Sequence, residues 1–228
     1  MRSKEEKHIL KQLPQSVTRR LYLEFLFRDF LYTFKVYFRM NDPLLSIKGQ
    51  ALGDDSRYKK FIVQVCHNLE PRIYKNNKVI QEQFHEVYEM LFITEGSVRV
   101  GYRLFNETHY GKMLEKKAVV NDYSCAFDKC SEFLYTAFSA QVKGYAIRKN
   151  SFLAITKQKE IGTAFVNFIE KTYVGNFQRP LNEHRQEQIQ RNAHRIDYIN
   201  LQALGMMEIP VQPNGEQHQS QNENQEID

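Results

Sequence analysis

The sequence predicts an α+β fold: N-terminal helices, an antiparallel β-barrel, then C-terminal helices. Three observations predict it. Apolar and aromatic residues recur at helical spacing before residue 40 and after residue 150. Between about Pro71 and Arg148 the pattern changes to short β-branched and aromatic runs separated by polar joints. Two of those joints, Asn76-Asn77 and Glu95-Gly96, carry residues that tolerate positive φ.

The first 40 residues read as helix from Leu13-Pro14 onward. Val17, Leu21 and Phe25 share one helical row, and Tyr22, Leu26, Phe30, Phe34 and Phe38 share another. Arg20, Glu24, Arg28, Lys35 and Arg39 leave only a narrow polar stripe, so such a segment must bury several faces, as one helix or two shorter ones. Residues 41–56 hold Pro43, Gly49, Gly53 and Asp54-Asp55, which reads as a linker. Helical spacing resumes from Tyr58 to Leu69 through Phe61, Ile62 and Val65.

The strand-rich region begins with Leu69-Glu-Pro-Arg-Ile-Tyr74, the Asn-Asn turn, and a second strand from Val79. A hairpin closed by Glu95-Gly96 is expected next, running on through Val98, Val100 and Tyr102. Tyr110–Met113, Val119–Val120, Phe133–Ala137 and Gly144–Ile147 supply further strands. Asn150-Ser151 are expected to cap a helix beginning at Phe152. Ile161, Ala164, Phe165, Phe168, Ile169 and Tyr173 then make one amphipathic face. Residues 181–205 read as a polar helix, and the Gln-, Asn- and Glu-rich 206–228 as a disordered tail.

Composition narrows the function classes. No run approaches the roughly 20 apolar residues of a membrane span, and Met-Arg-Ser-Lys-Glu-Glu-Lys-His is too charged for a signal peptide. Three cysteines, Cys66, Cys125 and Cys130, suggest free thiols in a reducing compartment. Six acids and no Lys or Arg follow Arg195, which leaves residues 1–195 at about +11 against +5 for the chain. Such a body attracts anionic partners. Cys66-His67 and Cys125/Cys130 lack metal-ligand spacing, Glu86 and Glu89 read as solvent-facing, and no nucleophile motif, Walker loop or dinucleotide fingerprint occurs. An enzyme is not expected. Arg19, Arg20, Arg28, Lys35 and Arg39 interleave with aromatics without any nucleic-acid reading motif.

The order of elements resembles the cyclic nucleotide-binding domain with its C-linker, as in protist voltage-gated and cyclic-nucleotide-gated-like potassium channels. The residues that carry the resemblance are Leu13-Pro14 with its Arg-rich continuation, Phe61 through Gly101, and Gly144-Tyr-Ala-Ile-Arg-Lys149 followed by Phe152. The likeness covers about residues 10–180 and implies a jelly-roll barrel over residues 57–180, with residues 1–56 as a C-linker-like segment. It implies a regulatory module on the cytoplasmic side of a membrane. Its partners would be a channel's transmembrane region or neighbouring subunits in a homo-oligomer, with anionic lipid facing the basic helix. The alternative is a soluble sensor of cyclic AMP or cyclic GMP, or a scaffold.

In that family a phosphate cassette lies between two late strands. The matching slot runs from Val120-Asn121-Asp122-Tyr123 to Ser131-Glu132-Phe133. Asn121 stands where the family has Gly, Asp122 is placed to accept from a ribose hydroxyl, and Ser131 or Glu132 stands where an Arg would neutralise the phosphate. The pocket therefore reads as degenerate, with no cofactor bound, and Tyr198 and Leu201 are candidate fillers from the following segment.

Overall fold

The computed structural model describes residues 13–38, 56–157 and 159–203. The expected linker, but for Ser56, and the expected tail lie outside these residues. Among these residues eight strands form: β1 Glu70–Lys75, β2 Val79–Gln81, β3 Glu89–Glu95, β4 Val98–Leu104, β5 Glu107–Leu114, β6 Val119–Val120, β7 Leu134–Ala137 and β8 Gln141–Arg148. They make two antiparallel four-stranded sheets ordered β1-β8-β3-β6 and β2-β7-β4-β5. First strand pairs with last and second with seventh, which is a jelly roll of two sheets.

One local expectation fails here. β3 and β4 lie in different sheets, so Glu95-Gly96 does not close a hairpin. It carries the chain from one sheet to the other. Gly96 has φ +86°, and a Cβ there would sit 2.4 Å from the Gln141 carbonyl oxygen, so both backbone and space demand glycine. Asn77, at φ 59°, makes the corresponding crossing from β1 to β2. The two-residue hairpin is instead β4–β5, turned by Phe105 and Asn106 at φ 51° and 65° with Leu104 opposite Glu107. Positive φ at both central positions matches the twist of the flanking strands.

Met90, Leu91, Phe92 and Ile93 of β3 are all buried. Alternation is lost because this strand is covered on both faces. The N-terminal helices cover one of them. They comprise α1 (Gln15–Arg20), a π-helical turn (Leu21–Leu26), a break at Phe27, and α2 (Arg28–Thr33), with one more turn closing from the Phe38 N–H to the Phe34 carbonyl. Phe30 meets Phe92 at 5.2 Å and Tyr145 at 5.6 Å between ring centres, and Phe34 meets Phe92 at 5.1 Å, all edge to face. α3 (Ser56–His67) adds buried Tyr58, Phe61, Ile62, Val65 and Cys66. The Tyr58 hydroxyl donates to the Phe38 carbonyl, and the Tyr22 hydroxyl and His67 Nδ1 share a 2.9 Å hydrogen bond.

A short helix, α4 (Asp122–Ala126), lies between β6 and β7. After β8 come α5 (Lys149–Thr156), α6 (Lys159–Tyr173), a second π-helical turn (Val174–Gln178) and α7 (Arg179–Ala203). α5 starts straight off the end of β8 with Arg148 as its capping residue, so Asn150 and Ser151 lie inside the helix rather than before it. Contacts divide the chain into residues 1–185 and 186–228. Within its described residues the second unit is the continuation of α7, where Arg191 lies 3.8 Å from Glu187 one turn earlier. Among the described residues no helix is long and apolar enough to cross a membrane.

Candidate functional site

The slot between β6 and β7 starts at Asn121. Its backbone is left-handed, φ 64° and ψ 15°, and its carbonyl accepts from the Cys125 N–H at 3.0 Å to open α4. Asn is among the few residues besides Gly that enter this region. The turn expected of a glycine is therefore kept, with a side chain added. That side chain is buried; Nδ2 donates to Gln81 Oε1 at 3.4 Å and Oδ1 has no partner.

Asp122 follows. Its Oδ1 accepts from the Tyr123 N–H at 2.9 Å and its Oδ2 from the Tyr37 hydroxyl at 3.2 Å. Burial pushes this carboxyl up to about 6, although both hydrogen bonds pull it down. The Tyr37 hydroxyl is likewise pushed far up, first by burial and then by the charge of Asp122. Each oxygen that could meet a ribose hydroxyl already has a donor from the protein. Sequence spacing could not reveal this, because Tyr37 lies in the N-terminal helical segment.

At the other end Ser131 is buried and its hydroxyl donates to the Phe133 carbonyl at 2.7 Å. Glu132 accepts from Gln178 Nε2 at 3.3 Å. Lys129 Nζ, the cation nearest in sequence, donates to the Tyr123 hydroxyl at 2.8 Å, a bond that raises its pKa. The Tyr123 ring stacks on Tyr173 with centres 4.0 Å apart and planes 2° from parallel, and Tyr173 stacks on Phe177 at 6.1 Å. The Tyr173 hydroxyl is held neutral by burial first, with Tyr135 and Glu132 adding to it. Asn121, Asp122, Tyr123, Ser131 and Glu132 thus lie on one short stretch of chain. Tyr123 and Glu132 are engaged by side chains from the end of α6 and the π-turn after it.

The first turns of α7 add a second set of contacts. Leu181 is buried against Gly111, where a Cβ would come within 2.9 Å of its Cδ2. His184 Nδ1 and the Tyr102 hydroxyl are 2.7 Å apart. The Arg185 guanidinium lies over Tyr102 at 4.8 Å and over Phe133 at 5.9 Å. These are residues that the sequence reading missed, because Leu181 is a lone apolar residue in a polar run. The side chains of Tyr198 and Leu201 lie outside the described residues.

A charged cleft of about 680 Å³ adjoins the slot at Asp128 and is bounded also by Arg72, Glu89, Arg148 and Lys149. Arg72 binds Glu89 at 2.6 Å and Glu70 at 2.9 Å, and the hydrogen bond to Glu89 raises its pKa most. Lys149 bridges Asp128 at 2.8 Å and Glu86 at 3.0 Å, tying the slot to the loop before β3. Glu89, expected to face solvent, is held by Arg72 and Tyr74, which share one face of β1. The charges of this cleft are used up in pairs. Cys125 is buried and Cys130 exposed, neither in a disulfide, and burial pushes the Cys125 thiol up to about 12. Among the described residues no group of three or more His, Cys, Asp or Glu could hold a metal ion.

No family profile and no curated protein matches the sequence. Among solved structures it is similar to the regulatory subunit of a cAMP-independent protein kinase A from Trypanosoma brucei. The TM-score is 0.48 at 16% identity, over 75% of this chain and 51% of that one. A mutant of that subunit with cAMP in its A site gives 0.46 at 15%, over 74% and 56%. The regulatory domain of Toxoplasma gondii PKA with cAMP gives 0.45 at 10%, over 61% and 49%. The chain spans about half the length of these structures.

Proposed function

We propose that this chain is a non-catalytic regulatory module: a cyclic nucleotide-binding-like jelly roll whose slot is closed by its own C-terminal helices. In this reading it relays the position of those helices to the N-terminal helical segment, in the cytoplasmic part of a cation channel as the sequence resemblance implies. The observation that carries it is the placement of Tyr37. Its hydroxyl bonds Asp122 in the slot, while its ring meets Phe92 of β3 at 5.6 Å and Phe165 and Phe168 of α6 at 5.3 and 6.2 Å. One side chain of the N-terminal segment therefore touches the slot, the sheet and the C-terminal helices together. Close packing makes such a junction respond by discrete shifts rather than by smooth deformation.

Against nucleotide binding stand Glu132, an anion where a phosphate would need a cation, and Tyr123, whose ring is taken up in a stack with Tyr173. A second reading, a soluble nucleotide sensor, is favoured by one feature: Asn121 preserves the left-handed turn at the start of the slot.

Melting the whole chain with excess cyclic AMP or cyclic GMP separates the two. We expect no shift. A rise of about 5–10 °C, as a ligand at a hundred times its Kd would give a domain of this size, would overturn the closed slot. The relay has its own test in amide exchange. Tyr173→Ala should speed exchange in residues 28–38 as well as 122–126, and a change confined to the neighbourhood of residue 173 would refute it.

A further inference from the structure

The N-terminal helices have two unlike sides. Phe27, Phe30, Leu31, Phe34 and Phe38 are buried toward the sheet. On the side turned away, Phe25 is 67% exposed, Tyr32 72% and Val36 77%, with Val17 and Leu26 near half. Scattered surface apolar residues are ordinary, but five large ones within residues 17–36 are not. The cations are arranged with them. Lys35 Nζ lies 4.7 Å over the Tyr32 ring. Arg28, one turn before Tyr32, meets the exposed Asp29 at 3.4 Å, and Arg20 meets Glu24 at 2.8 Å with both largely in solvent. Arg19 and Arg20 close the last turn of α1. Exposed ion pairs of this kind are weak and yield readily to a stronger anionic partner.

We propose that this outward face of residues 17–36 docks on an anionic lipid bilayer, lying in the headgroup region rather than crossing it. Aromatic and aliphatic side chains flanked by Arg and Lys fit that boundary: the apolar part enters the acyl edge and long cationic stems reach the phosphates. Charge decides between occupants. Residues 17–36 hold Arg19, Arg20, Arg28 and Lys35 against Glu24 and Asp29, so the same face of a second copy would bring like charge to it, whereas an anionic surface is complementary. The docking is independent of what the slot holds.

The test uses the full chain with vesicles of phosphatidylcholine containing phosphatidylserine, and with vesicles of phosphatidylcholine alone, read by co-sedimentation. The chain should bind the anionic vesicles, bind the neutral ones far less, and release as salt rises. The triple variant Phe25→Ser, Tyr32→Ser, Val36→Ser should bind at least about tenfold more weakly. Arg28→Gln with Lys35→Gln should lower binding about fivefold per charge. All five side chains point to solvent, so the melting temperatures should stay within a few degrees of the parent, which separates lost docking from lost folding. Failure to bind either vesicle, or equal binding by parent and both variants, would overturn the proposal. So would a dimer in light scattering that the triple variant abolishes, because the face would then belong to a second copy.

Discussion

Replacing Asp122 by Asn should make the protein more stable at neutral pH and reverse that order in acid. The carboxyl is raised from its ordinary 3.8 to about 6, with burial as the first cause. A shift of about two pKa units corresponds to about 3 kcal/mol between its charged and neutral forms. Because the folded value lies above the unfolded one, the stability from the neutral acid is full below about pH 4 and is lost as pH rises through about 6. At pH 7.5 the native state therefore holds a carboxylate that burial disfavours by about 3 kcal/mol. Asp122 as a residue is only half-buried, which trims the figure toward about 2 kcal/mol. Asn removes the charge but supplies one acceptor where Asp122 serves two donors, Tyr37 and the Tyr123 N–H, a loss of about 1 kcal/mol. The net gain near pH 7.5 is about 1–2 kcal/mol, or about 2–8 °C in Tm for a chain of this size. Calorimetric melts of parent and variant from pH 4.5 to 8 measure it. The difference between the two curves isolates Asp122 from every other carboxylate. A variant less stable by the same amount at every pH would refute the reasoning, since it would mean that the Asp122 carboxyl titrates alike in the folded and unfolded chain.

Other substitutions test the remaining contacts. Arg72→Met leaves Glu89 and Glu70 without their shared guanidinium, and urea melts at pH 7 should show a loss of about 1–3 kcal/mol. Hydrogen bonding to Arg72 lowers the pKa of Glu70, so that stability is present above the usual carboxylate range and is lost as pH falls through it; the penalty should shrink in acid. At Asn121, Ala meets the left-handed strain of about 1–2 kcal/mol that Gly avoids. Asn121→Gly should therefore melt above Asn121→Ala despite filling less of the site.

Much of this fold is local and could be read from the sequence. Asn77 and Gly96 were legible as positive-φ positions because few residues besides Gly and Asn tolerate that backbone. The helix Ser56–His67 and the buried face of Phe165, Ile169 and Tyr173 follow from apolar spacing. Pairing is not local. Nothing in the Glu95-Gly96 joint distinguishes a hairpin from a crossing between sheets, since both need a left-handed residue there. In the slot, the order Asn121-Asp122 and the carboxylate at 132 marked where to look. What occupies those groups could not be read: Tyr37 reaches Asp122 from 85 positions away, and Gln178 reaches Glu132 from 46. Arg72 and Glu89 were within reach, because alternation places Arg72 beside Tyr74 on one face of β1.

The pairing of Glu70 with Ala146 at the two ends of the jelly roll sets the order of events during synthesis. β8 lies between β1 and β3, so neither has its inner neighbour until the chain has been made almost to residue 150. Phe30 packs on Phe92 of β3 and on Tyr145 of β8. The aromatic N-terminal helices therefore leave the ribosome long before the surface that covers them exists. Distant pairings of this kind make folding slow and leave sticky faces open meanwhile. For this chain the interval falls on its most aromatic segment, the stretch from Tyr22 to Phe38.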